Sequence, residues 1–161
     1  MQVNNIIDIN RRFNDGLVSY VKSRLKEISN DEKEIIFRIN SYGGSLLALQ
    51  KIMGFMYFLG KYKGYRFIGQ AIHAESAAFL LFLNCQARQV APGSVGIIHF
   101  PVANEIIEEK VLEEKRKGVI STILRRTKMT EQQICSLEGM PLSCAEMLKY
   151  GIATEKIPII R

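Results

Sequence analysis

Apolar residues along this chain fall into two alternating rhythms. In "DGLVSYVKSRLKEIS" Leu17, Val21, Leu25 and Ile28 recur at helical spacing behind Asn14 and Asp15, both of them good helix caps. Residues 34–39, "EIIFRI", form a short, branched and nearly continuous run that suits a buried strand. The same reading makes "NNIIDI" a first strand, "SLLALQKIMGFMYFLG" a helix by its length, "YRFIG" a third strand and "SAAFLLFLN" a helix. "RQVAP" and "VGIIHF" read as two further strands. A long charged helix over residues 104–126 leads through "TEQQICSLEGMP" and "SCAEMLKYG" to a last strand in "IATEKIPII". Strand–helix alternation with short links predicts an α/β fold of βαβ units, with a mainly parallel sheet covered on both sides. At 161 residues, with no repeat or linker, the chain is expected to form a single domain over 1–161.

Composition narrows the setting. Apolar residues make up 47% of the chain, enough to build a core. No run of about 18 residues is free of charges or polar breaks, so no membrane-spanning helix is expected. The start "MQVNNIIDINRRFNDG" lacks the basic and then apolar order of a signal peptide. Cys85, Cys135 and Cys144 are odd in number and not at metal-ligand spacing; they read as reduced thiols of a cytoplasmic protein, with no metal or cofactor.

The net charge of +6 raises the question of nucleic acid. The long helix sorts its charges, however. Glu105, Glu108, Glu109, Glu113 and Glu114 come first; Lys115, Arg116, Lys117, Arg125 and Arg126 come last. That order complements the helix macrodipole and reads as a solvated face. No aromatics interleave with the basic residues, so neither nucleic acid nor membrane is an expected partner. Ile106, Ile107, Val111, Leu112, Val119, Ile120, Ile123 and Leu124 give this helix an apolar stripe, which predicts self-association.

Two segments could carry chemistry. "INSYGGS", residues 39–45, joins a strand to a helix through a glycine pair, which frees backbone N–H groups for an anionic oxygen. "GQAIHAESAAFLLFLNC", residues 69–85, sets Ser76 at the start of a helix that is apolar all round. Ser76 is either that helix's cap or a nucleophile at its positive end. A serine needs a base to take its proton, and the chain holds two histidines, His73 and His99. His99 closes an apolar strand, where a structural histidine is common; His73 lies in a polar segment three residues before Ser76.

Together, "FRINSYGGS", "GQA…SAAFLL", "APGSVGIIHFP" and "LSCAEMLKYGIA" resemble, in order, the Clp protease proteolytic subunit and its shorter phage-borne relatives. The resemblance implies a crotonase-like fold, in which stacked ββα units build the core and the long helix projects. It implies hydrolysis of peptide bonds in polypeptides by an acyl-enzyme route. Carried over, Ser76 is the nucleophile and His99 the general base. The N–H groups of Gly44 and Ala77 form the oxyanion hole, and Gly43 and Ser45 belong to the substrate-binding edge. The implied partners are further copies of the chain in a ring and an ATP-dependent unfoldase.

Two departures stand out. "IHAES" makes the segment before the serine about two residues longer than in the family, which leaves Glu75 as a rival for the serine position. Ser76 is preferred because its interval to His99 then fits the shorter members without a gap. The family's triad aspartate falls at Gly139, with Glu138 beside it, and the chain's aspartates are Asp8, Asp15 and Asp31. Three outcomes follow: Glu138 orients His99, the site is a Ser–His dyad, or it is inactive. Two other classes therefore stay open, a non-catalytic assembly subunit of the same fold and, with less support, a crotonase-type enzyme acting on an acyl-CoA.

Overall fold

One-sided burial governs the sheet. A computed structural model describes residues 5–102 and 108–161. Its strands β1 (Ile6–Ile9), β2 (Glu34–Ser41), β3 (Arg66–Glu75), β4 (Ala87–Ile97) and β5 (Glu155–Lys156) line up in chain order, and every pairing among them is parallel. Helices α1 (Asp15–Glu27), α2 (Leu46–Lys63) and α3 (Ala77–Leu83) fill the first three crossovers; α4 (Glu109–Arg126), α5 (Glu131–Leu137) and α6 (Cys144–Lys149) lie between β4 and β5.

Asn14 caps α1 as its sequence suggests, accepting from the Leu17 N–H at 3.0 Å, and Leu17, Val21 and Ile28 are buried. In β2 the buried residues are Ile35, Phe37, Ile39 and Ser41, while the residues between them stay partly exposed. The expectation of a sheet covered on both sides is therefore corrected. The second face carries cross-strand polar pairs instead. Arg38 grips Asp8 with two bonds of 2.6 and 2.9 Å, Arg66 meets Glu34 at 2.7 Å, and Gln70 donates to Gln89 at 2.8 Å. Each pair sits directly opposite in the register, where such pairs stabilise a half-solvated face.

Other boundaries move for identifiable reasons. "RQVAP" and the start of "VGIIH" belong to one eleven-residue strand, β4, rather than to two. Its pairing with β3 jumps from Ala71↔Val90 to His73↔Val95. Ser94 closes the excursion, donating to the Ala71 carbonyl at 2.6 Å and accepting from the Ala91 N–H at 2.9 Å. The extra residues of "IHAES" extend β3 to Glu75 instead of lengthening a loop. The last strand shrinks to two residues. The long helix is described from Glu109, so the expectations for residues 104–107, including Glu105, Ile106 and Ile107, fall wholly or partly outside the described residues. On α4, Val119, Ile120 and Ile123 are buried, whereas Val111 and Leu124 are exposed.

All seven residues of α3 are buried, at the centre of the core. At its far end, the carbonyl of Leu83 accepts from Arg126 Nε at 2.8 Å, and that of Cys85 accepts from Arg126 at 3.1 Å and Arg88 at 3.4 Å. Arg88 is itself buried and donates to the carbonyls of Ile152, Gly151 and Arg126 as well. Burial first, and the neighbouring Arg126 charge second, pull its guanidinium below the ordinary value. Burial pushes the adjacent Cys85 thiol up to about 12. Cys85, Cys135 and Cys144 are all free thiols.

Candidate active site

Ser76 is the hinge between β3 and α3, and its backbone is unusual. Its φ of 56° and ψ of −121° make it the one non-glycine residue with positive φ among the described residues. Holding a side chain there costs about 1–3 kcal/mol, so the surroundings must enforce it. On one side, the Ser76 N–H donates to the Ile97 carbonyl at 3.2 Å, tying the turn to the end of β4. On the other, Gly43 packs against it. A Cβ on Gly43 would come within 2.6 Å of the Glu75 carbonyl oxygen, 2.8 Å of Ser76 Cβ and 2.9 Å of Ala77 N. Only a glycine fits.

The capping reading of Ser76 does not hold, since its side chain makes no capping bond to α3. The hydroxyl is thus not committed to the helix it precedes. A sharp strand-to-helix turn that presents a strained serine is the geometry of a nucleophile elbow. Glu75, the rival, ends β3 in an extended strand, with its carboxylate 3.1 Å from His73 Nε2.

The glycine segment is shaped by a bridge to the β1–α1 connection. Phe13 N–H donates to the Gly43 carbonyl and Ser45 N–H to the Phe13 carbonyl, both at 2.9 Å. In a parallel bridge this turns the intervening Gly44 N–H the other way, and among the described residues it donates to no acceptor. The Ala77 N–H, first in its helix, is likewise without one. Ser45 has a structural commitment, because its hydroxyl accepts from the Ala48 N–H at 3.2 Å and caps α2.

His99 lies two residues beyond the end of β4. With Ser76, Gly44, Ser45 and Glu75 it lines an open cleft of about 540 Å³. His73 does not line that cleft. It sits within β3, paired with Glu75 and packed against the Tyr42 ring at 4.7 Å, rather than in the polar loop its sequence suggested.

Glu138, at the C-terminal end of α5, comes to the same region. Its Oε1 accepts from the Phe100 N–H at 3.2 Å, and the Gly139 N–H next to it donates to the Ile98 carbonyl at 2.7 Å. The 138–139 segment is therefore fastened to the main chain on both sides of His99. Among the described residues no hydrogen bond joins the imidazole to Glu138 or to Ser76. Hydrophobic spacing gives no signal that Arg12, Tyr42, Leu80 and Lys115 also line the cleft. Nor did it reveal that Arg88 and Arg126 close the far end of α3. No group of three or more His, Cys, Asp or Glu able to hold a metal ion occurs among the described residues.

Parallel βα units thus bring a serine at a strand-to-helix turn and a histidine beyond the end of the neighbouring strand to one cleft. The family model of Clp protease matches residues 1–157, and the chain belongs to that family. The fold is also similar to that of a ClpP1 point mutant from Listeria monocytogenes, with a TM-score of 0.79 and 23% identity, covering 97% of this chain and 92% of that one. The comparison with curated proteins found no match. No helix among the described residues is long and apolar enough to cross a membrane.

Proposed function

We propose that this chain is a serine endopeptidase whose nucleophile is Ser76. His99 takes the Oγ proton as the Oγ–carbonyl carbon bond forms, and the N–H groups of Gly44 and Ala77 receive the developing oxyanion. The same proton then passes to the leaving amine as the peptide C–N bond breaks, and a water activated by His99 releases the acyl group. The polypeptide lies along the Gly43–Ser45 edge. The scheme uses no cofactor. The observation that supports it best is the strained Ser76, its hydroxyl unused by its own helix, in one cleft with His99.

A fluorophosphonate probe tests this reading. We expect labelling of the wild-type protein that disappears in Ser76→Ala with the circular dichroism unchanged. Labelling that persists at another residue would refute Ser76. Its absence from the assembled wild type would favour the second reading, a non-catalytic assembly subunit. That reading draws its support from the Glu138 carboxylate, which meets the Phe100 N–H and not the imidazole.

Glu138 is assigned the orienting role, acting through the His99–Phe100 peptide. Glu138→Ala should lower kcat at least ~10-fold, while Glu138→Gln, which keeps an acceptor oxygen, should retain most of the rate. A Cβ on Gly139 meets nothing within 4 Å, so Gly139→Asp has room for the family's carboxylate, and although the φ of 77° strains any side chain there it should recover part of the Glu138→Ala loss. If Glu138→Ala is silent and Gly139→Asp raises the rate, the native site is a dyad. By family likeness we assign assembly into a ring in the cytoplasm, joined through the exposed side of α4 and fed by an ATP-dependent unfoldase.

A further inference from the structure

The walls of the Ser76 cleft are unevenly charged. Arg12, from the β1–α1 connection, and Lys115, from α4, both line it and both are exposed. The ion pairs among the described residues involve Arg24, Arg38, Lys51, Arg66 and His73, so neither cation of the cleft is in one. Among the described residues of the lining the one carboxylate, Glu75, is engaged by His73 at 3.1 Å. Arg12 lies close to the chemistry, since a Cβ on Gly44 would stand 3.0 Å from its Cγ. Apolar Leu46, Leu80 and Val119 line the same cleft.

We propose that Arg12 and Lys115 make this cleft select polypeptide segments that carry acidic side chains beside the scissile bond. The inference rests on the Ser76 reading for the position of that bond. A chain extended along the Gly43–Ser45 edge sends alternate side chains to the same side, so a carboxylate next to the reacting carbonyl is brought to Arg12. A guanidinium offers such a carboxylate a two-pronged contact, and Lys115 offers a point charge from the α4 side. Both cations are solvated, so each contributes on the order of a two- to fivefold preference, and salt weakens it.

Short fluorescent peptides that differ only in a central Glu, Gln or Lys pair test the idea on the full-length chain. Binding is measured by anisotropy to Ser76→Ala, and turnover is measured with the wild type. The Glu peptide should bind about fivefold more tightly than the Gln peptide, with the Lys peptide weakest. Arg12→Gln and Lys115→Gln should each reduce that discrimination about two- to threefold, and together abolish it. Arg11→Gln removes the same charge from the adjacent position, where the guanidinium stacks on Tyr20 at 4.4 Å, and should leave it intact. Equal binding of the three peptides, no binding by any, or discrimination that survives the double substitution would overturn the proposal. Because binding is read without the Ser76 hydroxyl, preserved discrimination without probe labelling rejects the chemistry alone. Turnover without discrimination rejects this inference alone.

Discussion

The two ends of α3 are handled in opposite ways. At its start, strain is imposed on Ser76, and the N–H groups of Ala77 and of nearby Gly44 have no acceptor among the described residues beside an open cleft. At its finish, the carbonyls of Leu83 and Cys85 receive three bonds from two arginines. A short, fully buried helix cannot leave its carbonyl end bare, because water does not reach it and each unmet carbonyl would cost about 1–3 kcal/mol. Its N-terminal end can stay bare only because the cleft admits solvent or substrate there. One terminus of the helix is thus satisfied by protein and the other is left open to the cleft. The two cations also complement the negative end of its dipole.

The comparison can be broken most directly at the open end. His99→Ala should lower kcat/KM by a factor on the order of 10³ or more, and His73→Ala by less than ~10-fold, measured on the same peptide substrate. His99 lines the cleft, whereas His73 is held by Glu75 and Tyr42. Reversed effects would move the base to β3 and detach the chemistry from the β4 end.

The closed end should answer in stability rather than rate. Arg88→Met keeps the apolar stem but removes donors from the carbonyls of Cys85, Ile152, Gly151 and Arg126. It should destabilise the protein by about 3 kcal/mol in urea unfolding. Probe labelling per folded molecule should be preserved. A silent Arg88→Met would mean that Arg126 and solvent suffice to close the helix.

At ordinary pH the smallest effect belongs to Cys85, because it appears only in alkali. Its thiol is held neutral in the fold, with its titration pushed from 9.0 up to about 12, chiefly by burial. The unfolded chain can ionise that thiol above pH 9 while the folded one cannot, so this contribution is complete below about 9 and is lost as pH rises toward 12. Stability should fall by up to ~1.4 kcal/mol per pH unit in that window, and Cys85→Ala should flatten the slope even if it lowers the plateau. An unchanged slope would show that the residue is not what couples this end of α3 to pH.

Local pattern decided a good part of this molecule. The period of Leu17 and Val21, the cap at Asn14, the branched run of β2 and the apolar block 77–83 state their own elements, because each depends on neighbours a few residues away. The order of the glycine pair, Ser76 and His99 likewise carried the family resemblance. What the chain could not state locally was pairing across distance. The excursion at 91–94 looks like a strand break until Ser94 bonds to Ala71 on the adjacent strand. The residues of "IHAES" look like loop until β2 and β4 flank them with hydrogen-bond partners. Ser76 could be a cap or a nucleophile by sequence; its positive φ is held by Gly43 of the β2–α2 connection, packed against it, and by the Ile97 carbonyl at the end of β4, which accepts its N–H. Glu138 could aim its carboxylate at a ring or at a main chain. The choice fell to the Phe100 N–H once Gly139 was fastened to Ile98, a contact between segments some forty residues apart that only the tertiary fold supplies.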